Sequence, residues 1–277
     1  MNLNDVTKRY DFYGRTVVVT GGAGVLCGEM ACALMGVNAN VVILDRDPAL
    51  ADQVVKRFET TKGRFLVVKG DVLDRKSLEE AAGEVVKNFG KIDCLINGAG
   101  GNNPKATTNL QQSFFDLPPE AVKFVSELNL LGTILPSQVF GKYMAQQKEG
   151  IILNLSSMNA FRPLTRIPAY SAAKAAVSNF TQWLAVHMAQ EYSPTIRVNA
   201  IAPGFFLTEQ NRFLLTDKET GQQTARGKKI MDHTPMARYG TPEDLLGAVL
   251  WLLSPLSGFV TGIVVPIDGG FSAYSGV

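Results

Sequence analysis

The residues best able to do chemistry in this chain are a phenol, an ammonium and a hydroxyl. Tyr170 and Lys174 stand four apart in the alanine-rich stretch Ala169–Tyr192, so on a helix they face the same way. A free phenol, with a pKa near ~10, is a poor acid–base catalyst at neutral pH. A neighbouring ammonium stabilises the phenolate, so Lys174 is expected to lower the Tyr170 pKa. Alone, this spacing is a frequent chance pairing on a solvated helix face. Its weight comes from Ser157, thirteen residues upstream and just past the apolar run Ile151–Leu155, which puts a hydroxyl near the start of the Tyr170 helix.

A second group of residues could hold a dinucleotide. Thr20-Gly21-Gly22-Ala23-Gly24-Val25-Leu26-Cys27-Gly28 follows the β-branched run Thr16–Thr20 and opens a helical stretch. Small residues there let backbone N–H groups at a helix N-terminus approach a pyrophosphate. Asp45 ends the next β-rich run. A carboxylate at that place accepts hydrogen bonds from both adenosine ribose hydroxyls and repels a 2′-phosphate, which favours NAD over NADP. Arg46 beside it could instead pair with a phosphate, and Asp45 and Asp47 could equally cap a helix.

These groups need a frame. Thr16–Thr20, Val41–Leu44, Phe65–Val68, Cys94–Ile96, Ile151–Leu155, Ile196–Ile201 and Ile263–Pro266 read as short strands, apolar on both faces. Helical patterns fall between them over Leu26–Met35, Pro48–Phe58, Ser77–Phe89, Pro119–Tyr143, Ala169–Tyr192 and Pro242–Leu253. Ser77 with Glu80 reads as a capping box, and Thr241-Pro242 as an N-cap followed by proline. The alternation predicts an α/β fold, a doubly wound parallel sheet of about seven strands with helices on both faces. No linker divides the chain, so residues 1–277 are expected to form one domain. Gly98–Pro118 and Phe205–Tyr239 break the rhythm after strands. Both should overhang the carboxyl edge of the sheet, where ligands bind, and 205–239 reads as a substrate lid.

Composition excludes several other classes. With 27 basic and 25 acidic side chains the net charge is +2, which gives no electrostatic argument for nucleic acid or an anionic membrane. No apolar run reaches the roughly 18 residues of a membrane span. Met1–Arg15 is too polar for a signal peptide, so the cytosol is the expected compartment. Cys27, Cys32 and Cys94 lack metal-ligand or CxxC spacing and read as small buried hydrophobes, and no metal site is expected. His187, His233, Trp183 and Trp251 read as helix and loop residues, the tryptophans in packing.

The ordered set of motifs resembles the short-chain dehydrogenase/reductase family over essentially the whole chain. Beside the elements above, it includes Asn97-Gly98-Ala99-Gly100, Asn129 in Asn129-Leu130-Leu131-Gly132, Asp71 after the third strand, and Pro203-Gly204. The resemblance implies a Rossmann-type NAD(P)-dependent oxidoreductase, usually a homotetramer. Ser157 would bond the substrate oxygen, and Tyr170 would pass the proton. Lys174 would lower the Tyr170 pKa and hold the nicotinamide ribose, and Asn129 would anchor a water leading from Lys174 to solvent. The cofactor would lie against Gly21, Gly24, Val25 and Leu26, then Asp45, Arg46, Asp71 and Val72. Beyond these it would meet Asn97, Gly98, Ala99, Tyr170 and Lys174, and finally Pro203, Gly204, Phe206 and Thr208. Two departures stand out. Val25 and Cys27 occupy positions where the family has glycine, unless Gly24 and Gly28 take over in a shifted register, and Gly98 replaces an asparagine.

Within the family, Asn97–Thr108, Ser156–Tyr170, Asn199–Gln210 and Asp268–Val277 resemble sugar-acid reductases of the D-mannonate oxidoreductase (fructuronate reductase) kind. A hexuronate needs a cation for its carboxylate and polar partners for its hydroxyls. Asn102, Asn103, Lys105, Asn159, Arg162, Gln210, Asn211 and Arg212 could supply them. Arg162 and Asn159 come first, because they lie between Ser157 and Tyr170. The alternatives are a gluconate 5-dehydrogenase-like or other sugar reductase, and a nicotinamide-binding sensor without catalysis.

Overall fold

The structure is a computed structural model that describes residues 3–58, 62–207, 215–217 and 220–276. Seven parallel strands form its single sheet: β1 (Thr16–Thr20), β2 (Asn40–Asp45), β3 (Phe65–Lys69), β4 (Cys94–Asn97), β5 (Gly150–Leu155), β6 (Ile196–Pro203) and β7 (Val264–Ile267). Their order across the sheet is β3-β2-β1-β4-β5-β6-β7. Every residue of β1, β5 and β6 is buried, because helices cover both faces. Alternation along each strand divides the core. Val17, Val19, Ile43, Ile96 and Leu153 face one layer, and Val18, Val42, Leu95, Ile152 and Val198 face the other.

The helices are α1 (Leu3–Lys8), α2 (Val25–Gly36), α3 (Asp52–Val55), α4 (Arg75–Phe89), α5 (Pro119–Ser126), α6 (Gly132–Gln147), α7 (Pro168–Glu191), α8 (Ala225–Asp232) and α9 (Leu246–Leu253). Several boundaries differ from the sequence reading. Asp74, not Ser77, caps α4, accepting from the Lys76 N–H at 3.0 Å, while the Ser77 hydroxyl accepts from the Asp71 N–H. The expected helix over Pro119–Tyr143 is interrupted by a π-turn at Glu127–Leu131 and runs on to Gln147. The Thr241 capping box forms with Asp244 and leads through a 3₁₀ turn into α9. Helix α8 was not foreseen. It lies inside the 205–239 segment, where Ala-Arg-Gly-Lys-Lys-Ile-Met-Asp offers two buried residues, Gly227 and Ile230. Residues 208–214 and 218–219 of that segment, with Thr208, Gln210, Asn211 and Arg212, lie outside the described residues.

Strand order reverses between β1 and β4, and the carboxyl ends of β1, β2, β4, β5 and β6 open on one edge. That is where an open α/β sheet places a ligand. A buried polar chain braces the edge from beneath. The Asn97 amide donates to Asn154 Oδ1 at 2.8 Å and to Ser137 Oγ at 2.9 Å, and the Asn154 amide donates to Thr181 Oγ1 at 2.9 Å. These bonds tie β4 and β5 to α6 and α7. Among the described residues no helix is long and apolar enough to cross a membrane, and no cluster of side chains suits a metal ion.

Candidate active site

A cleft of about 710 Å³ runs along the carboxyl edge of the sheet, from Asp45 and Asp71 at one end to Ser157, Tyr170 and Gly204 at the other. Gly21 makes the turn out of β1 with φ 63°, and a Cβ there would lie 2.9 Å from the Ala99 Cα. Only glycine allows the two loops to approach so closely. Gly24 is the N-cap of α2, with ordinary extended geometry, and Val25 is the first helical residue. The valine therefore occupies no strained position. Gly28 lets α2 lie against Val54, whose methyl would be 2.8 Å from an added Cβ. Gly24, Val25 and Leu26 present a helix N-terminus to the cleft, as a pyrophosphate requires.

Asp45 turns one carboxylate oxygen to the Ala23 N–H at 3.3 Å and the other to the Asp47 N–H at 3.2 Å. Each oxygen has a lone pair to spare, and Asp45 lines the cleft, which suits a vicinal diol. The capping role falls to Asp47, which accepts from the Ala49 N–H. Arg46, Asp71 and Val72 line the same end, and Gly98, Ala99, Pro203 and Gly204 the remainder. Two of the expected residues turn their side chains away from the cleft. The Asn97 side chain is buried beneath the edge in the polar chain described above and does not line the cleft. The Phe206 ring is buried over Gly240, where an added Cβ would meet it at 2.9 Å, so it serves packing.

Ser157, Tyr170 and Lys174 come together at the far end. The N-terminal turn of α7 presents Tyr170, which is half-buried and hydrogen-bonded to Ser157. Lys174, one turn further, is buried, and its Nζ donates to the Leu155 carbonyl at 2.7 Å. That nitrogen lies 5.6 Å from the centre of the Tyr170 ring. Ser156 fixes the helix against β5 by donating to the Lys174 carbonyl at 3.1 Å. The π-turn points Asn129 inward, where its amide donates to the carbonyls of Gly101 (2.7 Å) and Val125 (2.8 Å). Asn129 thus clamps the Gly100–Gly101 loop beside Lys174, and a Cβ on Gly100 would fall 2.7 Å from its Oδ1.

Burial pushes the phenol above its ordinary 10, and the Ser157 hydrogen bond only partly offsets this. The direction is opposite to the expectation that Lys174 lowers the Tyr170 pKa. Burial likewise lowers the Lys174 ammonium from 10.5 to about 8. The ammonium gives its hydrogen bond to the Leu155 carbonyl and not to the neutral phenol.

With this geometry in place, comparison with known proteins decides the family. A family profile described as enoyl-(acyl carrier protein) reductase matches residues 25–272. An uncharacterised oxidoreductase of Bacillus subtilis strain 168 is 50% identical over 273 residues, covering 95% of this chain and 97% of its own. The chain belongs to the short-chain dehydrogenase/reductase family. It is an oxidoreductase of that family, and the sheet order and cleft are those of its fold. A crystal structure from Haemophilus influenzae, provisionally named a D-mannonate oxidoreductase and holding NAD, superposes with a TM-score of 0.90 at 46% identity. The match covers 98% of this chain and all of that one. The 5-keto-D-gluconate 5-reductase of Escherichia coli K12 is 28% identical over 268 residues, 97% of this chain and 98% of that one.

The two departures from the family's motifs turn out to be one. Cys27, in place of a glycine, projects its sulfur into the space above Gly98, and an ideal Cβ on residue 98 would sit 2.2 Å from that sulfur. The missing asparagine makes room for the thiol. Burial drives the Cys27 pKa up to about 12, so the sulfur is an inert filler in the cleft floor.

The expected substrate residues are placed differently. Asn103 accepts from the Lys105 N–H and starts a 3₁₀ turn, and Asn102 donates to Thr107 Oγ1. The side chain of Lys105 is exposed. Asn159 is buried and spends its Oδ1 on the Leu164 N–H, closing the 159–164 turn. Arg162 lies on the surface with only the neighbouring Phe161 carbonyl at 3.4 Å. None of the five lines the cleft, because short polar side chains in tight loops serve their own backbone first. Thr20 was missed as a positioning residue. Its hydroxyl accepts from the Gly98 and Ala99 N–H groups at 3.1 and 3.2 Å, and its place at the end of β1 was the available signal. Trp183 does not pack in the core. It is 57% exposed and stacks on His187, whereas Trp251 packs against the core as expected.

A double-mutant cycle tests the thiol–glycine pairing. Gly98→Ala should lower the urea midpoint by an amount equivalent to about 1–3 kcal/mol. Cys27→Ala should recover at least ~1 kcal/mol of that loss in the double variant. Strictly additive losses would show that the sulfur and residue 98 do not share the space.

Proposed function

We propose that this enzyme interconverts a keto group and a secondary alcohol on a sugar acid, D-fructuronate and D-mannonate being the pair, with NAD(H) as cofactor. The observation that carries the reaction type is the convergence of Ser157, Tyr170 and Lys174 at the Gly204 end of the cleft. The substrate class rests on the Haemophilus relative provisionally named a D-mannonate oxidoreductase and on the likeness to the ketogluconate reductase. The latter supports a second reading, reduction of a keto-gluconate by the same residues.

The cleft fits a dinucleotide, since Gly21 brings bare backbone against Ala99 and the free lone pairs of Asp45 suit a ribose diol. Bound there, the nicotinamide supplies or accepts the hydride. The protein supplies the proton. Ser157 Oγ and the Tyr170 hydroxyl hold the substrate oxygen. In the reductive direction Tyr170 gives its proton to that oxygen as the carbonyl carbon becomes a carbinol. The phenol, held neutral by burial, is the correct acid for that step. Lys174 stabilises the phenolate left behind and keeps two N–H bonds for a ribose. Asn129 holds the Gly101 loop, and a water relay from Lys174 past Asn129 to solvent would restore the proton.

The family resemblance supports a homotetramer, and Trp183 and Val186 of α7, with Tyr192 just beyond its end, expose apolar surface that suits such a contact. Light scattering should give about four times the 30.0 kDa chain mass, and a monomeric mass would refute it.

Asp45→Ala should erode an initial preference for NAD(H), and equal wild-type efficiency with NADP(H) would show that Asp45 does not select the cofactor. Tyr170→Phe should cut the chemical step by roughly 10²–10⁴-fold while leaving NADH binding intact. Lys174 is charged below about 8 and neutral above, and Tyr170 stays neutral across that range. The kcat/KM for reduction, taken at low cofactor, should therefore be level at neutral pH and decline as pH rises through about 8. Turnover by Tyr170→Phe near the wild-type rate would end the mechanism.

A further inference from the structure

A second cavity, of about 410 Å³, lies between the loop Leu164–Ile167, Phe205, helix α8 and Phe271. Its walls differ in chemistry. On one side the rings of Phe205 and Phe271 meet edge to face at 5.2 Å. On the other stand Arg166, from the loop before α7, and Arg226 and Lys229, from α8. Among the described residues no acidic side chain lines the cavity.

Six of the other arginines have partners within the protein. Arg57, Arg75 and Arg238 pair with Glu29, Glu79 and Asp244. Arg15, Arg64 and Arg197 cap backbone carbonyls. Among the described residues no carboxylate pairs with Arg166 or Arg226. They act on each other instead. The Arg226 guanidinium is held below the ordinary arginine range, first by burial and next by the positive charge of Arg166. Both side chains reach solvent, and an anion entering between them would remove the repulsion of the two like charges.

Position connects the pair to the reaction. Arg166 lies one residue before the N-cap of α7 and four before Tyr170, and its carbonyl accepts from the Thr108 N–H at 2.9 Å, which fixes the loop. Phe205 directly follows Gly204 of the cleft. A substrate whose oxygen is held by Ser157 and Tyr170 has this cavity as the adjoining space for its far end. Guanidinium groups grip carboxylates through paired parallel hydrogen bonds, which suits a monocarboxylate of sugar size.

We propose that Arg166 and Arg226 form the clamp for the substrate's carboxylate, the role sequence spacing had given to Arg162. The clamp rests on the sugar-acid reading and specifies the residues that carry it out.

Calorimetric titration of the enzyme–NADH complex with D-mannonate, D-mannitol and 3-hydroxybutyrate tests it without turnover. D-Mannonate should bind well above D-mannitol. Arg166→Gln and Arg226→Gln should each weaken D-mannonate by roughly 10- to 100-fold, leaving D-mannitol and NADH unchanged. Arg162→Gln should leave all three unaffected. In steady state the loss should appear in KM for D-fructuronate more than in kcat. Carboxylate binding at wild-type strength in both variants overturns the clamp, while the sugar-acid reading survives. Weakened 3-hydroxybutyrate binding in a protein indifferent to D-mannonate keeps the clamp and overturns the sugar-acid reading. If no carboxylate binds the wild type, both fall.

Discussion

The site is organised around one buried ammonium. Lys174 Nζ sits at the end of β5 with the Leu155 carbonyl as its hydrogen-bond acceptor among the described residues. A charge in such a place is costly unless it is partnered, and burial lowers its pKa to about 8. Much nearby structure holds that nitrogen in place. Ser156 fastens the Lys174 backbone, Ser178 bonds Ser156 at 2.7 Å, and Thr181 anchors the next turn of α7 to Asn154. The helix that carries the phenol is therefore stitched to the strand that carries Ser157. A ligand able to accept the remaining N–H bonds completes a circuit whose other members are already in position.

The same economy explains the floor of the cleft. Backbones approach closely at Gly21 and Ala99, and the Thr20 hydroxyl receives two successive N–H groups from the loop after β4. Asn129 secures the loop from its other side. Between these clamps the chain tolerates an exchange of side-chain volume, with a sulfur entering at Cys27 where residue 98 has no side chain. The loops keep their course although two positions depart from the family's usual residues.

Much of this was legible in the sequence. The strands were, because burial on both faces leaves continuous β-branched runs such as Val17–Val19 and Val41–Ile43. Asp45, Ser157, Tyr170 and Lys174 were too, because each sits at a fixed interval from a strand end or a helix start. What failed were inferences about where a side chain points. Asn97 ends a strand like its neighbours in the motif, yet its amide turns inward to Asn154, a contact 57 residues away that no local pattern encodes. Phe206 turns to Gly240, and Asn159 turns to its own loop. The π-turn leaves no periodic trace, since one extra residue in a helix looks like noise. Helix α8 escaped because it is basic and buries little. Arg166 escaped with it, since its counterpart Arg226 is sixty residues distant. The rise of the Tyr170 pKa was hidden for a related reason, as desolvation depends on the finished cleft and not on the nearest charge.

The order of the strands has a consequence for how such a protein is made. The first three strands assemble outward from β1, and every later strand joins the opposite edge in turn: β4 beside β1, then β5, β6 and β7. No strand must open an existing pair to find its place. A chain emerging from the ribosome can therefore grow its sheet by accretion, each new strand docking on an edge completed moments earlier. The half bearing Asp45 precedes the half bearing Tyr170 in synthesis, so a nascent chain can offer the adenosine end of its cleft before the proton donor has been translated.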